Sequence, residues 1–193
     1  MKRIFIAVAV LMVALASQVF ADDSDAPMHY KGGLGFHNVE APVGVRWWLA
    51  GEKLGVDVGF GFSSKPATDD GYPNESLHDW ALDLGVPMVM HSWPKFHMLF
   101  RPGLLYQSSE YTISDPTPPA EPFNTDNSTT MRISAEIEGE YFVATNFSVS
   151  ASHGINFVTE DPGGTAKSQT SIGTFGNNFT QIGFHIYFFG AGH

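Results

Sequence analysis

The chain has 193 residues, no cysteine and a formal net charge of −10, from 20 acidic residues against 10 Lys and Arg. This acidic balance disfavours nucleic acid as a partner, because phosphate contacts need clustered Lys and Arg. The missing cysteines exclude disulfides and a lipid-bearing cysteine, so we expect stability to come from packing and backbone hydrogen bonds.

The first 21 residues have the layout of a secretory signal peptide. Lys2 and Arg3 give a basic start, an apolar run covers residues 4–16, and Val19-Phe20-Ala21 resembles a cleavage site. The alternative is a membrane anchor helix, for which the apolar run is short. We predict cleavage after Ala21, which leaves residues 22–193 as one domain and, without Lys2 and Arg3, moves the net charge from −10 to −12.

Beyond the signal peptide, apolar and polar residues alternate with the period of two that is typical of β-strands, and helical periodicity is nearly absent. No stretch approaches the twenty apolar residues of a membrane-spanning helix. The alternation predicts an all-β fold, an eight-stranded antiparallel up-and-down transmembrane barrel. Its predicted strands are 29–38, 43–49, 54–63, 76–90, 96–112, 129–143, 147–158 and 178–189.

The connections between these strands alternate in length, as in barrels with turns at one rim and loops at the other. Three are tight turns, at 50–53, 91–95 and 144–146. Three are long and rich in Pro, Asp, Asn, Ser, Thr and Gly, at 64–75, 113–128 and 159–177, where an extracellular ligand could bind. The connection 39–42 is short where a long loop is expected. An even strand number places both chain ends on the short-turn side, which would be the periplasm.

Side-chain volume decides which face points inward. One register carries more than thirty large apolar side chains, including Val45, Val58 and Leu84. An eight-stranded barrel is only just wide enough inside to be filled by side chains, so these will not fit there. The opposite register carries many glycines and serines, which suit a crowded interior. We therefore predict that the apolar face meets lipid, and a soluble lipocalin-like barrel is the alternative.

The interior register also carries charges, which must pair because an isolated buried charge costs several kcal/mol. We expect arginines to reach the three glutamates at alternate positions of one strand, and the network to plug the lumen; a polar pore is the alternative. The predicted network consists of Lys31, Arg46, Asp57, Asp79, Asp83, Arg101, Arg132, Glu136, Glu138 and Glu140. Histidines 29, 37, 97 and 185 share the register without metal-ligand spacing, so no metal or other cofactor is predicted.

Three segments, 44–60, 100–104 and 183–189, resemble small bacterial outer-membrane barrels, akin to the outer membrane protein A barrel and other porin-like small barrels. The resemblance implies the bacterial outer membrane as location, with its lipid and lipopolysaccharide as surroundings. It also implies that the closing strand is read by the barrel-assembly machinery, through Ile182, Phe184, Ile186 and Phe188. The tail 190–193 departs from the family, in which an aromatic residue usually ends the chain.

Some barrels similar to this one are lipid A acyltransferases or deacylases that use Ser, His and an acid. Here Ser152 and His153 are neighbours on a strand, so their side chains point to opposite faces and cannot pair. The resemblance is specific for fold and location and weak for activity. Because no catalytic or ligand motif stands out, we predict a monomeric structural or surface-interaction barrel rather than an enzyme. A narrow channel for small solutes or ions ranks second, and a lipid A-modifying enzyme third.

Overall fold

A computed structural model describes residues 31–49, 53–69, 72–113, 124–163, 167–174 and 180–189. The predicted signal peptide, Met1 to Ala21, lies outside these residues. No helix within them has the length and apolarity needed to cross a membrane. The described chain contains the strands β1 Gly32–Phe36, β2 Val43–Trp48, β3 Gly55–Asp69, β4 Tyr72–Gly85, β5 Met88–Trp93, β6 Phe96–Ile113, β7 Asn124–Ala144, β8 Phe147–Asp161, β9 Gln169–Gly173 and β10 Thr180–Phe189.

The strands close into one antiparallel barrel. The strands pair in the order β1-β2-β3-β4-β6-β7-β8, and β10 closes the ring by pairing with both β1 and β8. β4 and β5 lie end to end along β6, and β9 and β10 lie end to end along β8. Each of these two pairs occupies one position in the wall, so eight strands surround the lumen. The predicted eight-stranded antiparallel barrel is confirmed.

A proline interrupts the strand that was predicted over 76–90. β4 ends at Gly85 and β5 begins at Met88, yet both keep one register against β6, with Gly85 opposite Gly103 and Met88 opposite Phe100. Pro87 cannot donate to the ladder. Its carbonyl instead accepts from the Gly55 amide at 2.8 Å. The wall therefore continues from β4 into β5, and the register against β6 shifts only further along, between Val89 and His91.

The three long connections are shorter than predicted, because the flanking strands continue into them. Ser, Thr and Tyr are frequent there, and such residues tolerate a strand well, so the antiparallel ladder runs on beyond the apolar part of the wall. β3 reaches Asp69 and β4 starts at Tyr72, while β6 and β7 are separated only by residues 114–123. β8 reaches Asp161, and β9 occupies 169–173. The described hairpins thus extend the barrel at one end.

The short connection after β1 folds inward rather than outward. In this inner turn, residues 38–42, the Glu40 amide donates to Asn38 Oδ1 at 3.0 Å and the Ala41 amide to the Asn38 carbonyl at 3.2 Å. Ala41 is buried, and it packs against the inner side of β3 at Gly59. At Gly61 a Cβ atom would collide with the Glu40 carbonyl oxygen. The two glycines therefore make room for the turn inside the barrel.

The predicted orientation of the two faces is confirmed. Val45, Val58 and Leu84 lie side by side on neighbouring strands, and each is at least 39% exposed. Glu136, Glu138 and Glu140, at alternate positions of β7, are at most 7% exposed. The apolar residues face out and the charged residues face the lumen, which is the reverse of a soluble barrel.

We expect the substitution Gly61→Val to destabilise the barrel by about 1–3 kcal/mol, the usual cost of overpacking, because its side chain needs the space of the inner turn. Ala151→Val also introduces a valine side chain, but on the exposed side of β8, and should leave stability unchanged. Urea unfolding in detergent micelles measures both. Equal midpoints for the two variants would contradict the packing of the turn against β3.

Candidate functional site in the barrel lumen

Arg46 is the centre of the charged lumen and is fully buried. It lies on β2 directly opposite Asp57 of β3, and its Nε and Nη2 atoms donate to the two Asp57 carboxylate oxygens at 2.8 and 2.9 Å. Its other side reaches across the lumen to β7, donating to both oxygens of Glu138 at 3.0 Å. Glu140 Oε2 lies 3.3 Å from Nη1. One guanidinium therefore joins β2, β3 and β7.

Arg101 of β6 forms the second centre. Its Nε donates to Asp57 Oδ2 at 2.8 Å, so Asp57 is shared between two arginines, and its Nη2 donates to Asp83 Oδ2 at 2.6 Å. The guanidinium lies against the backbone of Gly85, where any Cβ atom would collide with it. A glycine on β4 thus lets the arginine of the neighbouring strand lie flat against the wall.

Each of the three glutamates of β7 accepts at least two hydrogen bonds. Glu136 accepts from the hydroxyls of Ser134 and Ser152, both at 2.6 Å, and Arg101 Nη1 lies 3.7 Å from it. Glu138 is held by Arg46. Glu140 accepts from Ser148 at 2.6 Å and from the Tyr187 hydroxyl at 2.7 Å.

The structure does not bring three of the predicted residues into this network. Arg132 was expected to reach the β7 glutamates, but it lies on β7 itself and its nearest carboxylate is Glu40 of the inner turn, at 3.6 Å. Lys31 is exposed before β1, and Asp79 is half-buried near the other end of the lumen. Neither has an ion pair with a described residue. Period two gives the face of a residue but not its height in the barrel, so the sequence could not show which charges have a partner.

Histidines supply further contacts to the carboxylates. His37 Nε2 lies 2.9 Å from Glu136 and its Nδ1 3.6 Å from Glu138, while His185 Nδ1 lies 3.6 Å from Glu140. His97 is buried and packs edge-on against Phe142 at 4.9 Å between ring centroids. His29 lies outside the described residues. Among the residues that the structure describes, no group of three or more potential ligands is placed to hold a metal ion.

An apolar cluster closes the lumen on the short-turn side, and sequence reasoning missed it. It consists of Trp48, Val89, Leu99 and Tyr187, with Phe142 packed against it. Arg46 lies over the Trp48 ring at 5.7 Å, so the cluster directly contacts the charged network. The sequence did contain a signal for it. Trp48 follows Arg46 by two residues and Tyr187 follows His185 by two, so each shares the lumen-facing side of its strand.

The lumen therefore has three layers: the apolar cluster, the charged network and the inner turn. The space left beside Asp57, Asp83, His37 and His185 is a cavity of about 10 Å³. That is room for roughly one water molecule. Such packing suits a rigid plug much better than a path for solutes.

Ser152 and His153 lie on opposite sides of the wall. Ser152 is buried and its hydroxyl donates to Glu136, whereas His153 is exposed and its Nδ1 lies 3.2 Å from Thr180 Oγ1. The pair therefore cannot act as nucleophile and base on one substrate.

Comparisons with known proteins add little to this geometry. No protein-family model matches the chain, and no curated protein matches it. Among solved structures, the chain is similar to Ail, the attachment invasion locus protein of Yersinia pestis. That likeness has 8% sequence identity and a TM-score of 0.40, and it covers 81% of this chain and 92% of the other. It is too distant to support an argument, so the fold rests on the strand pairing described above.

We expect Arg46→Met to destabilise the barrel by about 3–5 kcal/mol, because Asp57, Glu138 and Glu140 would remain buried without their shared cation. Lys31→Met is the matched control, since it removes an exposed cation that has no ion pair with a described residue, and it should leave stability unchanged. Urea unfolding in micelles compares the two. A small effect at Arg46 would show that the network is dispensable for the fold.

Proposed function

We propose that the chain is a bacterial outer-membrane barrel of structural or surface-interaction type, with a lumen closed by its salt-bridge network. One observation carries the proposal: large apolar side chains cover the outside of a closed barrel whose inside is charged. In water, this arrangement exposes apolar surface and buries charge, each at a cost in free energy. In a bilayer, the same outer surface meets hydrocarbon.

The dimensions of the apolar wall support a membrane location. Aromatic residues lie towards both ends of the wall, as in the girdles of membrane barrels. Along β6, Phe96 lies near the short-turn end, opposite Tyr141, and Tyr106 packs against Trp80 with ring centroids 5.1 Å apart. Ten residues of strand between Phe96 and Tyr106 span about 33 Å, or roughly 25 Å of membrane thickness at the usual strand tilt.

The three layers of the lumen favour a plug over the second candidate, a narrow channel. A solute would have to displace the inner turn, two arginines with five carboxylates, and the Trp48–Tyr187 cluster. The third candidate, a lipid A-modifying enzyme, lacks support from Ser152 and His153, which face opposite sides. The hairpins that extend past the apolar wall offer polar surface for contacts outside the cell, which supports the surface-interaction role.

The closing strand is consistent with assembly by the outer-membrane insertion machinery. Ile182, Phe184, Ile186 and Phe188 all face outward from β10, and each is at least 37% exposed. The tail 190–193 lies outside the described residues. We propose that these four side chains carry the insertion signal, that the surroundings are outer-membrane lipid and lipopolysaccharide, and that the barrel is a monomer, after removal of a signal peptide ending at Ala21.

Substitutions to arginine test the membrane location. Val58→Arg places a charge in the middle of the apolar wall, and we expect it to cost about 2–4 kcal/mol in lipid vesicles, as at the midplane of membrane barrels. Thr170→Arg places the same charge on the exposed strand β9, beyond the wall, and should leave stability unchanged. If both variants refold in vesicles with wild-type unfolding curves, the wall does not face lipid.

Planar-bilayer recording of the purified full-length protein tests the closed lumen. We expect no discrete openings from the protein under conditions in which a general porin, reconstituted in parallel, conducts. Since the plug is held by ion pairs, the variant Arg46→Met should be leakier than Lys31→Met. Reproducible single-channel openings in the wild-type protein would overturn the plug and favour the channel.

A further inference from the structure

A cleft of about 300 Å³ opens above the inner turn, on the side away from the apolar cluster. We call it the outer cleft. Its floor is the inner turn, and its walls come from neighbouring strands β3, β4 and β6. Its lining includes Val39, Glu40, Pro42, Lys65, Asp79 and Gln107. Its volume is at the lower end of the range for sites that bind small molecules.

The outer cleft is blind. The inner turn packs against Gly59 and Gly61, and the network of Arg46 and Arg101 lies beneath it. A molecule that enters can be held but has no path onward. The cleft therefore has the form of a binding site, not the mouth of a channel.

Two carboxylates of the cleft have unused capacity to accept hydrogen bonds. Glu40 lies 3.6 Å from Arg132, which is beyond hydrogen-bond distance, and its buried Oε2 has no hydrogen-bond partner. Asp79, unlike Asp57 and Asp83, has no ion pair with a described residue. The only described cation lining the cleft is Lys65, which is exposed.

The other side chains of the cleft favour an organic cation over a metal ion. Val39, Pro42 and Ala81 present carbon, and Ser63 and Gln107 present neutral polar groups. A divalent metal prefers six or more oxygen ligands, whereas the described residues contain no group of even three His, Asp or Glu side chains that is placed to hold a metal ion. An organic cation needs only one or two carboxylates for its charged end and apolar surface for its body.

We propose that the outer cleft binds a small organic ammonium compound, with its ammonium group between Glu40 and Asp79 and its carbon body against Val39 and Pro42. The strands around the cleft lead into the segments 64–75 and 113–128, which together contain six acidic residues and one lysine. Their negative potential raises the local concentration of cations and repels anions. The inference deepens the proposed surface-interaction role and rests on it for the outward orientation of the cleft.

The test is an NMR titration of isotope-labelled full-length protein in detergent micelles. The probe is 2-phenylethylammonium, and the neutral 2-phenylethanol and anionic 3-phenylpropanoate are the comparison ligands. We expect the ammonium compound to bind at least tenfold more tightly than the alcohol, with amide shifts at Gly61, Ala81 and Gln107, and the anion not to bind.

Glu40→Gln and Asp79→Asn should each weaken ammonium binding severalfold and leave binding of the alcohol unchanged. Glu110→Gln removes an exposed carboxylate of β6 outside the cleft and should leave both unchanged. Because Glu40 belongs to the inner turn, Asp79→Asn keeps the test valid if the other variant unfolds. Equal affinity for ammonium and alcohol, unchanged affinity in Asp79→Asn, or shifts that map outside the cleft would overturn the inference. Micelle binding does not depend on the membrane location, so the arginine substitutions in vesicles can fail independently.

Discussion

The pairing of Arg46 with Asp57 and Glu138 is the interaction on which the rest of the interior depends. A guanidinium that is buried in the middle of a narrow barrel is tolerable only when carboxylates meet it at hydrogen-bond distance on both sides. Asp57 provides this from the neighbouring strand, and Glu138 from across the lumen. Satisfying the arginine therefore fixes the register of β2 against β3 and the distance from β2 to β7.

Space for these side chains comes from glycine. The Arg101 guanidinium lies where a Cβ atom of Gly85 would be, and the inner turn lies where a Cβ atom of Gly61 would be. Glycine weakens a strand. Its repeated use on one face therefore has to be offset by the contacts of the groups that fit into the space beside it. In this barrel it admits two charge centres and a buried turn, and each of them adds contacts between strands that are not neighbours in the wall.

The sequence allowed the barrel, its orientation and the composition of its lumen to be predicted, because period two and side-chain volume suffice for those. It did not allow the height of each residue or its partner across the lumen to be predicted, so it could not show that Arg132 approaches Glu40, or that Lys31 and Asp79 have no ion pair with a described residue. The only sign of the inner turn in the sequence was that the connection 39–42 is short where a long loop is expected. The division of the predicted strand 76–90 at Pro87 was overlooked, because apolar residues occupy both registers around it, so the burial of three successive residues, 87–89, leaves no sign in the sequence.

The distribution of acidic residues explains why binding would occur at the mouth of the lumen and not deeper. Five carboxylates surround Arg46 and Arg101, and two of them, Glu136 and Glu140, also accept hydrogen bonds from serine hydroxyls or Tyr187. An entering cation would have to break these contacts and then leave two guanidiniums with less compensation. At the outer cleft, Glu40 has Arg132 at 3.6 Å but no hydrogen-bond partner for its Oε2, and Asp79 has no ion pair with a described residue. Carboxylates thus have two roles in this barrel: those in the interior hold the two arginines, and those of the outer cleft are able to bind a cation.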